Sequence, residues 1–172
     1  GKSDMEFIKA STYEQMSKKA AEIILGQLSE KEDSVLGLAT GSTPVGTYDE
    51  LIKAYDSGKA DFSKVRTVNL DEYCGLSGDN DQSYRYFMNK HFFDMVNIDK
   101  ANTNIPDGMA DDLDKECERY DKVVESLGGI DLQILGIGVN GHIGFNEPSD
   151  EFSHGTHVVK LDEKTRISNS RF

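Results

Sequence analysis

Cationic side chains are in short supply in this chain. Nineteen Lys and Arg stand against 31 Asp and Glu, for a net charge of −12 over 172 residues. Binding along a nucleic-acid backbone needs clustered Lys and Arg, so nucleic acid is not expected as a partner. A small anionic ligand is still allowed, because it needs only a few local donors. Cysteine is scarce too. Cys74 and Cys117 are the two present, and their spacing fits no metal-binding or redox motif. They read as free thiols of a reducing compartment, so the expected location is cytoplasmic. No apolar run approaches membrane-spanning length and no signal-peptide pattern is visible, which argues against a membrane partner. Repeats, linkers and low-complexity segments are also lacking. The opening Gly1-Lys-Ser-Asp4 before Met5 reads as a tag remnant, and residues 5–172 as a single domain.

What is present is enough apolar sequence, 37% of residues, for one real core. Ser11-Thr-Tyr-Glu14 fits a capping box. It opens a helix whose Met16, Ala20, Ile23, Ile24 and Leu28 share one face. Val35 to Leu38 reads as a short buried strand. Thr43 suits an N-cap and Pro44 the first position of the next helix, in which Val45, Tyr48, Leu51, Ile52 and Tyr55 recur at helical spacing. A second strand is expected over Val65 to Leu70, and a helix over Ser83 to Val96. Another helix is expected over Asp111 to Leu127, stopped by Gly128-Gly129. A third strand follows from Ile130 to Ile137 and a fourth from His157 to Leu161. Alternating strands and helices predict an α/β fold, a Rossmann-like open, mainly parallel sheet with helices on both faces.

Three polar segments sit at predicted strand C-termini, where open sheets of this kind bind ligands. Ala39-Thr-Gly-Ser-Thr-Pro44 is a hydroxyl-rich turn before a helix, suited to a phosphate. It carries neither the P-loop nor the dinucleotide-binding signature, and alone it is equally an ordinary capped helix. Asn69-Leu-Asp-Glu-Tyr73 places two carboxylates in succession. Side chains alternate along a strand, so one of Asp71 and Glu72 should face a ligand and the other the protein. The run from Gly136 to Pro148 reads as a glycine-rich loop holding Asn140, His142 and Glu147. An imidazole and a carboxylate there could act as an acid–base pair. A metal shell would need a further ligand, so no metal is expected. Arg171 is suited to bidentate phosphate recognition, though a terminal arginine is usually just solvated.

With these segments in place, the chain resembles the glucosamine-6-phosphate deaminase family, also called glucosamine-6-phosphate isomerases. The likeness runs from about Met5 to the last residue. It rests on Gly37-Leu-Ala-Thr-Gly-Ser-Thr-Pro44, Asn69-Leu-Asp-Glu-Tyr-Cys-Gly-Leu76, Gly138-Val-Asn-Gly-His-Ile-Gly-Phe-Asn-Glu-Pro148 and Thr165-Arg-Ile-Ser-Asn-Ser-Arg-Phe172. The resemblance implies conversion of glucosamine 6-phosphate and water to fructose 6-phosphate and ammonia, without a cofactor, in amino-sugar catabolism. It implies that Asp71 moves a proton between C2 and C1, that His142 helps to open the sugar ring with Glu147 as its partner, and that Asn140 orients His142. Thr40, Gly41, Ser42, Thr43 and Arg171 match the phosphate site. Family members are usually longer, so the domain is expected to be truncated at its C-terminus. The partner is then an amino-sugar phosphate, and a homo-oligomer stays open. The rivals are a galactosamine-6-phosphate or other amino-sugar-phosphate isomerase, a 6-phosphogluconolactonase, and a non-catalytic sugar-phosphate sensor.

Overall fold

Val35–Leu38 is buried at every position, as a strand covered on both faces must be. The computed structural model describes residues 5–137, 142–146, 155–161 and 164–169. In it this segment, β2, is central to a six-stranded sheet. The flanking elements are β1 (Met5–Phe7), α1 (Tyr13–Glu30), α2 (Val45–Asp56), β3 (Arg66–Asn69), β4 (Asp71–Tyr73), α3 (Tyr84–His91), β5 (Thr103–Asn104), α4 (Leu113–Ser126), β6 (Leu132–Ile137), β7 (His142–Asn146), β8 (His157–Leu161) and β9 (Lys164–Ser168). The main sheet has the order β1-β7-β6-β2-β3-β5. Strand β2 pairs in parallel with both β3 and β6, and β3 with β5. Strands β7 and β1 complete the sheet by antiparallel pairing.

Alternation along β2 divides the core. Leu36 and Leu38 join Met16, Ala20 and Ile24 of α1 and Tyr48 and Leu51 of α2 on one face. Val35 joins Val68, Tyr120 and Val124 on the other, against α4. The mainly parallel sheet with helices on both faces is therefore present. Cys74 and Cys117 are both free thiols. Among the described residues, no helix is long and apolar enough to cross a membrane.

Three expectations need correction. His157–Leu161 is a strand, but it belongs to a second, antiparallel sheet of order β4-β9-β8. Only two residues separate β8 from β9, and so short a connection permits only an antiparallel neighbour. The second half of the expected glycine-rich loop is strand β7. There Ile143 and Phe145, two residues apart, are 0% and 3% exposed and enter the core beside Ile134. The helix expected to Val96 stops at His91. Phe92 leaves helical geometry at φ −147°, and a 3-10 turn, Phe93–Met95, follows. That break lets Phe92 stack on Tyr48 and meet Phe62 edge-on, each at 5.3 Å between ring centres.

Smaller shifts concern helix ends. The first cap is Thr12, which accepts from the Gln15 amide at 3.1 Å, while Gln15 accepts in turn from Ser11. The box therefore lies one residue beyond Ser11–Glu14. Helix α4 is capped by Asp112 and followed by Gly128 and Gly129, both at positive φ as a glycine stop requires.

Gly108 packs against the end of β4. Its carbonyl accepts from the Gly75 amide at 2.8 Å, and a Cβ there would overlap the Tyr73 carbonyl. Gly26, in α1, faces open space. Gly108→Ala should therefore lower the unfolding free energy by about 1–3 kcal/mol through overpacking. Gly26→Ala should raise it by about 0.5–1 kcal/mol through helix propensity. Urea denaturation with an unchanged m-value checks both.

Candidate active site

Register brings the polar segments to one end of the main sheet. Gly37 pairs with Gln133, so Leu38 at the end of β2 is level with Ile134. Strand β6 continues through Leu135 and Gly136 to Ile137, an overhang of about 10 Å at about 3.3 Å per residue. His142 pairs with Ile137 at the overhanging tip. Below it the chain leaves β2 through Ala39–Thr43, and Thr43 faces Gly136, where a Cβ would lie 3.5 Å from the Thr43 Cβ. On the other side Asn69, the last residue of β3, is level with Leu38 and donates its side-chain amide to the Leu38 carbonyl at 3.2 Å. Asp71 follows two residues later. The chain runs from β2 outward to β3 and β5, then returns to the opposite side of β2 as β6. That is a topological switch point, the usual ligand crevice of an open α/β sheet.

The turn between β2 and α2 is held from outside by two tyrosines. The Tyr48 hydroxyl, buried in α2, accepts from the Ala39 amide at 3.0 Å and donates to the Ala39 carbonyl at 2.5 Å. The Tyr13 hydroxyl, from α1, reaches the Ser42 and Thr43 carbonyls at 2.9 and 3.0 Å and accepts from the Gly46 amide at 2.8 Å. Helix α2 starts at Val45, with Pro44 as its cap and no side-chain cap bond. Thr43 as N-cap and Pro44 as first helical residue are thus corrected by one position, because Tyr13 supplies the hydroxyl that a capping Thr43 would have provided. The Val45 and Gly46 amides are spent on Ser42 and Tyr13. Among the described residues, the amides of Thr40, Gly41, Ser42 and Thr43 have no acceptor. Gly41 takes φ +100°, a conformation that requires glycine. The uncommitted donors therefore lie in the turn rather than at the helix start.

The adjacent carboxylates separate as alternation requires. Glu72 is 2% exposed. Its carboxylate accepts from the amides of Tyr73, Tyr84 and Arg85 at 2.8–2.9 Å. Burial raises its pKa above the ordinary carboxylate value, and these amides pull it back. Asp71 faces the other way, with its side chain 28% exposed and Oδ2 3.5 Å from Arg166 Nη1. Burial pushes the Asp71 carboxyl up to about 6, Arg166 opposes that, and the Glu72 charge adds to it. The fold thus favours neutral Asp71, and this contribution to stability is lost as pH rises from about 4 to about 6.

His142 is exposed, at the first position of β7 rather than in a loop. Asn140, Glu147 and Arg171 lie outside the described residues. Sequence reasoning assigned no role to Tyr13, Tyr48 or Arg166. Tyr13 acts on a turn 29 residues away and Tyr48 on Ala39, nine residues back, neither marked by a local pattern; Arg166 lies within Thr165–Phe172. A cavity of about 540 Å³, lined by residues including Tyr73, Cys74, Leu76, Gln82 and Lys164, opens at the far end of β4 and involves neither Asp71 nor the turn.

A family model for glucosamine-6-phosphate isomerases/6-phosphogluconolactonase matches residues 9–163. A glucosamine-6-phosphate deaminase of Clostridium botulinum (strain Hall) is 59% identical over 168 residues, which is 98% of this chain and 69% of that protein. One from Geobacillus sp. (strain WCH70) is 57% identical, over 98% and 67%. Among solved structures, a monomeric glucosamine-6-phosphate deaminase aligns with a TM-score of 0.82 at 45% identity, covering 94% of this chain and 74% of its own. A 6-phosphogluconolactonase from Thermotoga maritima aligns at 0.70 with 24% identity, over 93% and 74%, a likeness of fold alone.

Glu72→Ala leaves three backbone donors without their acceptor. It should lower stability by about 3 kcal/mol, since each buried unpaired donor costs roughly 1–3 kcal/mol and water offsets part of the loss. Denaturant unfolding measures it.

Proposed function

The chain belongs to the glucosamine-6-phosphate isomerase/6-phosphogluconolactonase family, and from that membership we propose that it converts glucosamine 6-phosphate and water to fructose 6-phosphate and ammonia. The observation that carries this reading is Asp71. It is a half-buried carboxylate at a strand end, with its pKa near 6, two residues beyond Asn69, whose side chain bonds the end of the strand that leads into the turn. A base of this strength is ionised at neutral pH and still basic enough to take a proton from carbon next to a carbonyl.

The sequence of steps follows from the chemistry. Ring opening removes a proton from the C1 hydroxyl and delivers one to the ring oxygen, a task suited to the exposed imidazole of His142. Asp71 then takes the C2 proton while O1 takes one from the substrate ammonium, giving a neutral enolamine across C1 and C2, and Asp71 returns its proton to C1. The resulting C2 iminium adds water and releases ammonia, leaving the ketose. The turn Thr40–Thr43 binds the phosphate far from the reacting carbons. Its binding energy holds C1 and C2 within reach of Asp71. Asn140 and Glu147 orient and partner His142, and Arg171 adds a cation to the phosphate. The compartment is the cytoplasm. A lactonase reading is less favoured, because lactone hydrolysis needs no base at C2 and leaves Asp71 without a task.

Ammonia release from glucosamine 6-phosphate tests the reading. Asp71→Asn should reduce kcat by about 10²–10⁴-fold. The wild-type rate should have an acidic limb centred near pH 6, where Asp71 loses its charge, and fall about tenfold per pH unit below it. Hydrolysis of 6-phosphogluconolactone without ammonia release from the amino sugar would overturn the proposal.

A further inference from the structure

Arg166 is the cation that the ladder presents to Asp71. Strand β9 runs antiparallel to β4, with Tyr73 opposite Arg166 and Asp71 opposite Ser168. Asp71 and Arg166 are thus diagonal neighbours on one face of the small sheet, within reach for a long side chain. Arg166 Nη1 lies 3.5 Å from Asp71 Oδ2. The same nitrogen donates to the Tyr84 hydroxyl at 3.3 Å. Tyr84 is the first residue of α3 and packs its ring 4.8 Å from that of Tyr73. Its hydroxyl is pushed up to about 12, chiefly by burial, so it stays protonated across the working range. One guanidinium nitrogen therefore contacts both the carboxylate and the phenol.

The surroundings give this contact its meaning. The other described groups that act on Asp71 are the Glu72 carboxylate on its own strand, which pushes toward the neutral acid, and the Tyr84 hydroxyl from α3. Burial works in the same direction as Glu72. A base must be ionised before its substrate arrives, and arginine cannot give up its charge at any working pH. Arg166 is only 23% exposed, and its Nε is buried without an acceptor among the described residues. We infer that Arg166 is a positioning residue for the proton transfer: propped by Tyr84, it keeps the Asp71 carboxylate charged and fixed in one orientation. The inference rests on the deaminase reading for its consequence, but not for the contact itself.

The test uses pH profiles of kcat/KM, which report groups of the free enzyme, together with the ¹³C titration of the Asp71 carboxyl without substrate. An opposite charge this close lowers a carboxyl pKa by about 1–3 units. Arg166→Met should therefore move both the acidic limb and the carboxyl midpoint upward by about one pH unit or more. Activity at pH 6 should then drop about fivefold or more, with a smaller loss at pH 8. Arg166→Lys should recover most of the midpoint. Tyr84→Phe, which keeps the packed ring, should shift it upward by less, and it supplies the reading if Arg166→Met does not fold. A wild-type midpoint in Arg166→Met, or in Tyr84→Phe where only that variant folds, overturns the inference. A wild-type enzyme that releases no ammonia sinks the deaminase reading instead. The carboxyl titration then still decides whether Arg166 controls Asp71.

Discussion

The carboxylate of Glu72 is the point on which the arrangement around Asp71 depends. It is buried at 2% exposure and accepts three backbone amides, from its own strand and from the start of α3. Two of those donors are first-turn amides of a helix, where the macrodipole favours a negative charge. A strand and a helix are joined at this point. Asp71 is thereby turned to the opposite side of β4, because neighbours on a strand cannot share a face. The start of α3 is fixed as well, and with it the Tyr84 phenol beside Arg166.

The turn at Ala39–Thr43 follows a related logic. Its shape is imposed by hydroxyls from outside, Tyr48 on Ala39 and Tyr13 on Ser42 and Thr43. A turn that used its own amides to hold itself would have none left for a ligand. Here hydroxyls from outside hold the turn, and its amides have no acceptor among the described residues, so less ordering cost is left for binding to meet.

How much of this could be read beforehand depended on range. Strand β2 was legible to the residue because a short apolar run bounded by polar sequence has few other fates. The separation of Asp71 from Glu72 was legible too, since alternation holds for a strand of any length. Strand β7 was missed because His142–Asn146 is rich in turn-type residues, and the alternation of Ile143 and Phe145 was outweighed by the neighbouring glycines. Strands β1, β4 and β5 span only two or three residues and exist through partners far along the chain, which no local pattern records. Tyr13 caps a turn 29 residues away. Arg166 meets an acid on another strand. Both contacts come into being only with the tertiary fold.

The candidate base and the turn proposed to hold the phosphate are carried by different sheets. The turn grows from β2 in the parallel sheet, whereas Asp71 opens β4 in the antiparallel one. The seam between them is narrow at this point, with the Asn169 amide donating to the Leu70 carbonyl at 3.0 Å. On the proposed reading, anchorage and chemistry thus sit on different sheets, joined through Asn69 and Leu70. A scaffold divided in this way can exchange one reaction for another on the same phosphorylated end of a sugar, which gives a physical reason for isomerases and lactonases to share a single family description.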